Sequence, residues 1–149
     1  MCYNFFFQSD LEAAQEAEMI RRALLEARQD FTFETVLSTE RNLLLLEEAK
    51  NNGYQICAVF VLTKDSAVNV RRVQAQVKMG GHDEPEDKII SRYEKSLQNL
   101  SKLVRTADRT RIVDNSTDVP SVICEVADGR AGIWANEVWS TTDILRILA

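Results

Sequence analysis

The chain has 149 residues, with 18 Lys and Arg against 23 Asp and Glu for a net charge of −5, and is 45% hydrophobic and 28% charged. At roughly 100 to 200 residues per domain this is a single domain, residues 1–149, able to bury about 70% of its unfolded surface. Five Gly and two Pro exclude disordered, collagen-like and low-complexity classes, and the negative balance argues against nucleic-acid or acidic-membrane partners.

No window approaches the 18 or so apolar residues of a membrane span, and Met1 to Phe7 lacks a basic start, a long apolar run and a cleavage site, so the expectation is cytoplasmic. Cys2, Cys57 and Cys124 are odd in number and far apart, which fits reduced thiols; Cys57 and Cys124 lie in apolar runs and read as buried. One histidine and no paired cysteines offer no metal site.

Ser9 with Glu12 forms a capping box, and Leu11, Ala14, Ala17, Ile20, Leu24 and Ala27 continue at helical spacing, predicting a helix over 10–28. FTFETV at 31–36 alternates aromatic and polar residues and predicts a strand. Glu40 to Asn52 is a Leu-rich helix stopped by Gly53. YQICAVFVL at 54–62 reads as a strand covered on both faces, followed by an Asp65-capped helix that ends at Gly80 and Gly81.

Pro85 suits the first turn of a further helix, whose stripe Ile89, Tyr93, Leu97, Leu100 and Val104 carries it to about residue 106. Arg109 to Val113 is a short strand ending in Asp114-Asn115-Ser116, 122–135 a hairpin turning at Asp128-Gly129, and Thr141 to Leu148 a final helix. The alternation predicts an α/β fold: an open, mostly parallel sheet with helices on both faces, plus a C-terminal β-hairpin. Ligands in such sheets sit beyond the carboxyl ends of the strands, here Glu34 with Thr35, Thr63 to Asp65, and Asp114 to Ser116.

Glu34 in an apolar strand is costly unless paired or serving a ligand. Between Lys64 and Arg111 there are 11 basic residues against 7 acidic, and 72–97 joins two helices through a Gly-Gly hinge. That pattern fits either a lid closing over phosphates or a solvated helix face. With no aromatic platform among these cations and a negative net charge, nucleic-acid binding through this segment is the weakest of the readings.

DLEAAQEAE at 10–18, FTFETVLSTERNL at 31–43, GGHDEPEDKIISRYEKSL at 80–97 and RIVDNS at 111–116 together resemble the zeta-toxin group of P-loop kinases, in particular its bacterial UDP-N-acetylglucosamine kinase-like branch. The resemblance implies a three-layer kinase fold, ATP with Mg2+ as cofactors, phosphoryl transfer to a sugar hydroxyl of a sugar nucleotide, and restraint by a partner antitoxin. By position it implies substrate binding by Glu34, Thr35 and Ser38, a lid with Arg92 and with Lys78 or His82 toward the phosphates, and a nucleotide-proximal, positional role for Asp114, Asn115 and Ser116.

The chain departs from that group in three places. It holds no GxxxxGK[ST], since none of Gly53, Gly80, Gly81, Gly129 and Gly132 is followed by Lys. The family's general-base Asp falls before the matched part, and Val36 stands where the zeta toxins have Thr. The expectation is a kinase domain that begins after its phosphate-loop strand, with no catalytic residue of its own and no transfer activity alone; the alternative is a non-catalytic module binding a sugar nucleotide or a partner protein. A missing central strand also predicts an open sheet edge, to be covered by the aromatic leader MCYNFFF, by self-association or by an antitoxin.

Overall fold

The computed structural model describes residues 10–81 and 83–149, which form two compact units, one ending at Glu34 and the other comprising Thr35–Ala149. The Ser9 cap, Cys2, the leader and His82 lie outside the described residues. In the first unit, α1 spans Asp10–Glu26. Arg28 closes it in the left-handed region at φ 54°, with Gln29 N–H donating to Leu24 O, and the Arg21 guanidinium stands 5.1 Å from the Phe33 ring centre.

In the second unit α2 is Arg41–Asn51, and its end is built as expected: Gly53, at φ 86°, donates to Lys50 O while Tyr54 N–H reaches Ala49 O. β1 is Cys57–Leu62 and α3 is Ser66–Lys78, capped by the Asp65 carboxylate accepting from Val68 N–H at 3.1 Å. α4 is Glu86–Thr106, entered through Pro85, and β2 is Arg109–Asp114. β3 (Ser121–Ala127) and β4 (Arg130–Ile133) form the predicted hairpin, with Asp128 at φ 52° and Gly129 at φ 69° supplying the two left-handed residues of a tight turn. α5 is Thr141–Leu148, opened by a Ser140–Asp143 capping box.

The strands lie in the order β1-β2-β3-β4, with β1 and β2 parallel and the other two pairs antiparallel. A bulge at Ile123 turns both Ile123 and Cys124 into the core, each with no solvent exposure. Phe60, Leu62, Ile112 and these two residues pack against Leu43 of α2, Leu100 and Leu103 of α4, Ile144 of α5, and Trp139. α3 packs along α4.

Five expectations are corrected. FTFETV is an irregular extended segment, because no strand among the described residues pairs with it; Thr35 Oγ accepts from Leu37 N–H and from Asn42, and Leu37 at φ 57° turns the chain into α2 instead. Glu34 and Thr35, both exposed, therefore do not stand at a strand's carboxyl end. The sheet is mixed rather than mostly parallel, since the hairpin supplies two of its four strands. Within the second unit the helices cover one face only: on the other, Val59 is 67% and Val61 57% exposed, and the expected covering of β1 on both sides is absent. Cys57 belongs to that same bare row and is exposed, whereas Cys124 is buried as expected.

Candidate functional site

Two clusters of polar side chains occupy the second unit. The first sits at the carboxyl ends of the parallel strands. Asp114 ends β2 with only 2% of its surface exposed. Its carboxylate accepts from Ser116 N–H at 3.0 Å, from the Ser116 hydroxyl, and from Asn136 Nδ2 at 3.0 Å. Burial pushes this carboxyl up, yet the hydrogen bonds from Ser116 and Asn136 outweigh it and hold it below the usual range.

The same net extends across the sheet end. Ser116 Oγ accepts from Lys64 N–H at 2.8 Å, and Asn115 N–H donates to Leu62 O at 2.8 Å. Asn136 Oδ1 accepts from Val138 and Trp139 N–H. Lys64 Nζ donates to Asp143 at 2.8 Å and lies 4.4 Å from the Trp139 ring centre. The Lys64 bond, with those from Ser140, draws the Asp143 carboxyl down to about 2. Asp114, Asn115 and Ser116 thus tie β1, β2, the 134–140 loop and α5 together, which is a positioning arrangement: every oxygen of Asp114 already holds protein donors.

The second cluster is an open cleft of about 290 Å3 between the 38–39 turn and the first half of α4, lined by Ser38, Thr39, Asp87, Lys88, Ser91, Arg92 and Lys95. Lys88, Ser91, Arg92 and Lys95 share one face because they recur at helical spacing. The wall opposite is fixed from below by Asn99, whose buried amide donates to Leu37 O at 2.9 Å, and by an ion pair between Lys102 and Glu40. Arg92 meets Glu84 at 3.1 Å and Lys88 meets it at 3.7 Å, while Lys95 makes no ion pair among the described residues. Three cations facing three hydroxyls, with two acidic neighbours, can hold a multiply charged oxyanion through charge-assisted hydrogen bonds.

Of the residues singled out from the sequence, the structure brings Ser38 and Arg92 together in this cleft. Lys78 is exposed at the end of α3 and is not part of the lining. Thr35 is engaged by Leu37 and Asn42, and Glu34 belongs to the first unit. Segment 72–97 consists of the second half of α3, a turn through Gly80 at φ 87°, and the first half of α4, with Tyr93 donating to Thr63 O at 2.9 Å. Sequence reasoning had Lys95 among the cations of the 72–97 segment and Lys64 within the 63–65 strand end, and missed Thr39 and Ser91 in the cleft and Asn136, Trp139 and Asp143 in the strand-end net. Only Asp143 left a local signal, its spacing from Ser140.

Compared with known proteins, the chain is 27% identical over 85 residues to an uncharacterized protein of Haemophilus influenzae, a stretch covering 57% of this chain and 61% of the relative. It therefore spans about three fifths of that relative's length. No family model matches the chain, and no solved structure matches it at the significance required. Among the described residues no helix is long and apolar enough to cross a membrane.

Proposed function

We propose that these 149 residues are a zeta-toxin-like kinase domain without its phosphate loop, which binds the phosphates of a nucleotide or sugar nucleotide in the α4 cleft and does not transfer them. The observation that carries this reading is the convergence in one cationic cleft of Ser38 and Arg92, which stand in two separate segments that carry the resemblance. Binding there asks Arg92 to exchange Glu84 for phosphate oxygens, which its planar fork accepts in pairs, while Lys95 and the Ser38, Thr39 and Ser91 hydroxyls supply further donors.

Transfer is a different matter. Phosphoryl transfer rests on positioning and on neutralising the β and γ oxygens, and the GxxxxGK[ST] segment that provides amides, Lys and a Mg2+ ligand is not among these residues. Among the described residues that line the cleft the one carboxylate is Asp87, in the first turn of α4. The test is calorimetric titration of ATP and of UDP-N-acetylglucosamine into the protein and into an Arg92→Ala, Lys95→Ala double variant. Loss of two charge-assisted contacts should weaken binding about tenfold or more, with the helical circular-dichroism signal unchanged. Equal affinity in both proteins, or none in the parent, refutes the cleft as the site.

A further inference from the structure

Glu84 stands between the Gly80 turn and α4, outside the lining of the α4 cleft, and its carboxylate draws on two of the cations that face it. It accepts from Arg92 Nη1 at 3.1 Å and lies 3.7 Å from Lys88 Nζ. The hold on Arg92 is a single hydrogen bond. Arg111, by contrast, grips Glu125 through both Nε and Nη2, at 3.0 and 2.8 Å. Most donors of the Arg92 guanidinium are thus uncommitted. The segment that carries Glu84 is held by little else. Gly80 and Gly81 close α3 with N–H bonds to Val77 O and Gln76 O, and Pro85 O accepts from Lys88 and Ile89 N–H. Between these two anchors, among the described residues, no backbone hydrogen bond engages Asp83 or Glu84. Withdrawing Glu84 breaks its ion pairs and no backbone ladder.

We propose that Glu84 is an internal competitor of the α4 cleft, engaging Arg92 and Lys88 until a diphosphate or triphosphate displaces it. The proposal rests on the reading of the cleft as a phosphate site and adds what sets its affinity and its ligand class. A tethered carboxylate acts at high effective concentration, so a ligand that brings one carboxylate gains nothing from the exchange. A diphosphate gains on two counts. Its paired oxygens fit the Arg92 fork, which Glu84 meets through one nitrogen only, and its length reaches Lys95, with which Glu84 makes no ion pair. Displacing Glu84 lowers the affinity for every such anion by one common factor, because the competent arrangement is only part of the population.

The experiment is calorimetric titration of pyrophosphate and of ATP into the full chain, into Glu84→Gln and into Asp83→Asn. Glu84→Gln keeps the shape of the side chain and removes its charge; circular dichroism checks that the fold is kept. Asp83→Asn removes the same charge one residue away, from an exposed side chain with no ion pair among the described residues. Glu84→Gln is expected to bind both anions about fivefold tighter than the parent, the effect of one good exposed ion pair, and Asp83→Asn less than about twofold tighter. A Glu84→Gln protein that binds no tighter overturns the proposal while the cleft stands, and weaker binding would make Glu84 a residue that positions Arg92. An equal gain in Asp83→Asn overturns it as well, since net charge alone would then account for both. Absence of binding in all three proteins refutes the cleft, and the competitor with it.

Discussion

Replacing Asp114 with Ala separates a positioning role at the strand ends from a ligand-binding one. The carboxylate is 2% exposed and holds three donors: Ser116 N–H, the Ser116 hydroxyl and Asn136 Nδ2. A stranded buried donor costs about 1 to 3 kcal/mol. Ser116 and Asn136 are only half-buried, and Asn136 keeps Ser121 as an acceptor at 3.0 Å, so the lower end applies to each. The sum is about 2 to 3 kcal/mol, a fall in melting temperature on the order of 10 °C for a chain of this size. Asp114→Asn keeps the shape and one acceptor but turns an amide toward the Asn136 amide, so it should cost about half as much. Urea unfolding followed by circular dichroism reads both numbers, provided the slope against urea is unchanged. An Asp114→Ala protein within about 0.5 kcal/mol of the parent refutes the net as a stabilising device.

Further predictions follow from ionisation and exposure. Asp143 is held at about 2 and Asp114 and Asp108 below their ordinary 3.8, the last by the Ile56 N–H first and then by Lys50. Carboxyls depressed in the folded state add stability that is fully present above the unfolded value and is lost as pH falls through the folded one, so acid unfolding should set in below pH 4 and deepen toward pH 2. An Asp143→Asn protein should be less stable at neutral pH with a shallower acid limb; identical limbs contradict the assignment. In a Cys2→Ser background, Cys57 should react rapidly with a thiol reagent and Cys124 only on unfolding, because Cys124 is fully buried and burial pushes its thiol up. Two equally fast thiols would contradict the core as described.

What the sequence revealed was whatever short-range chemistry decides. Asp65 at a helix start, Gly53 at a helix end and Asp128-Gly129 between two strands each carry their own backbone preference, and all three behave as read. FTFETV shows the limit of such reading: its alternation suits a strand, but a strand exists only against a neighbour, and none of the described residues provides one. Likewise YQICAVFVL is apolar on both faces, which speaks of covering without saying by what; one side is met by α2, α4 and α5, the other by nothing within its own unit. The Lys64–Asp143 and Asn136–Asp114 bonds join residues far apart in the chain, and no local pattern announces them. Ser38 was legible only through the family resemblance and Arg92 also as one of the cations of the 72–97 segment; their meeting in a cleft with Lys95 came from the fold.

The account's central claim is binding without transfer. Its most direct test incubates the 149-residue protein with ATP, Mg2+ and UDP-N-acetylglucosamine, records 1H–15N spectra during the titration, and analyses the sugar nucleotide by mass spectrometry. The predicted result is shifts centred on Ser38, Thr39, Ser91 and Arg92 with no phosphorylated sugar nucleotide formed. Phosphorylated product from these residues alone, or spectra in which the cleft does not respond to either ligand, would contradict it.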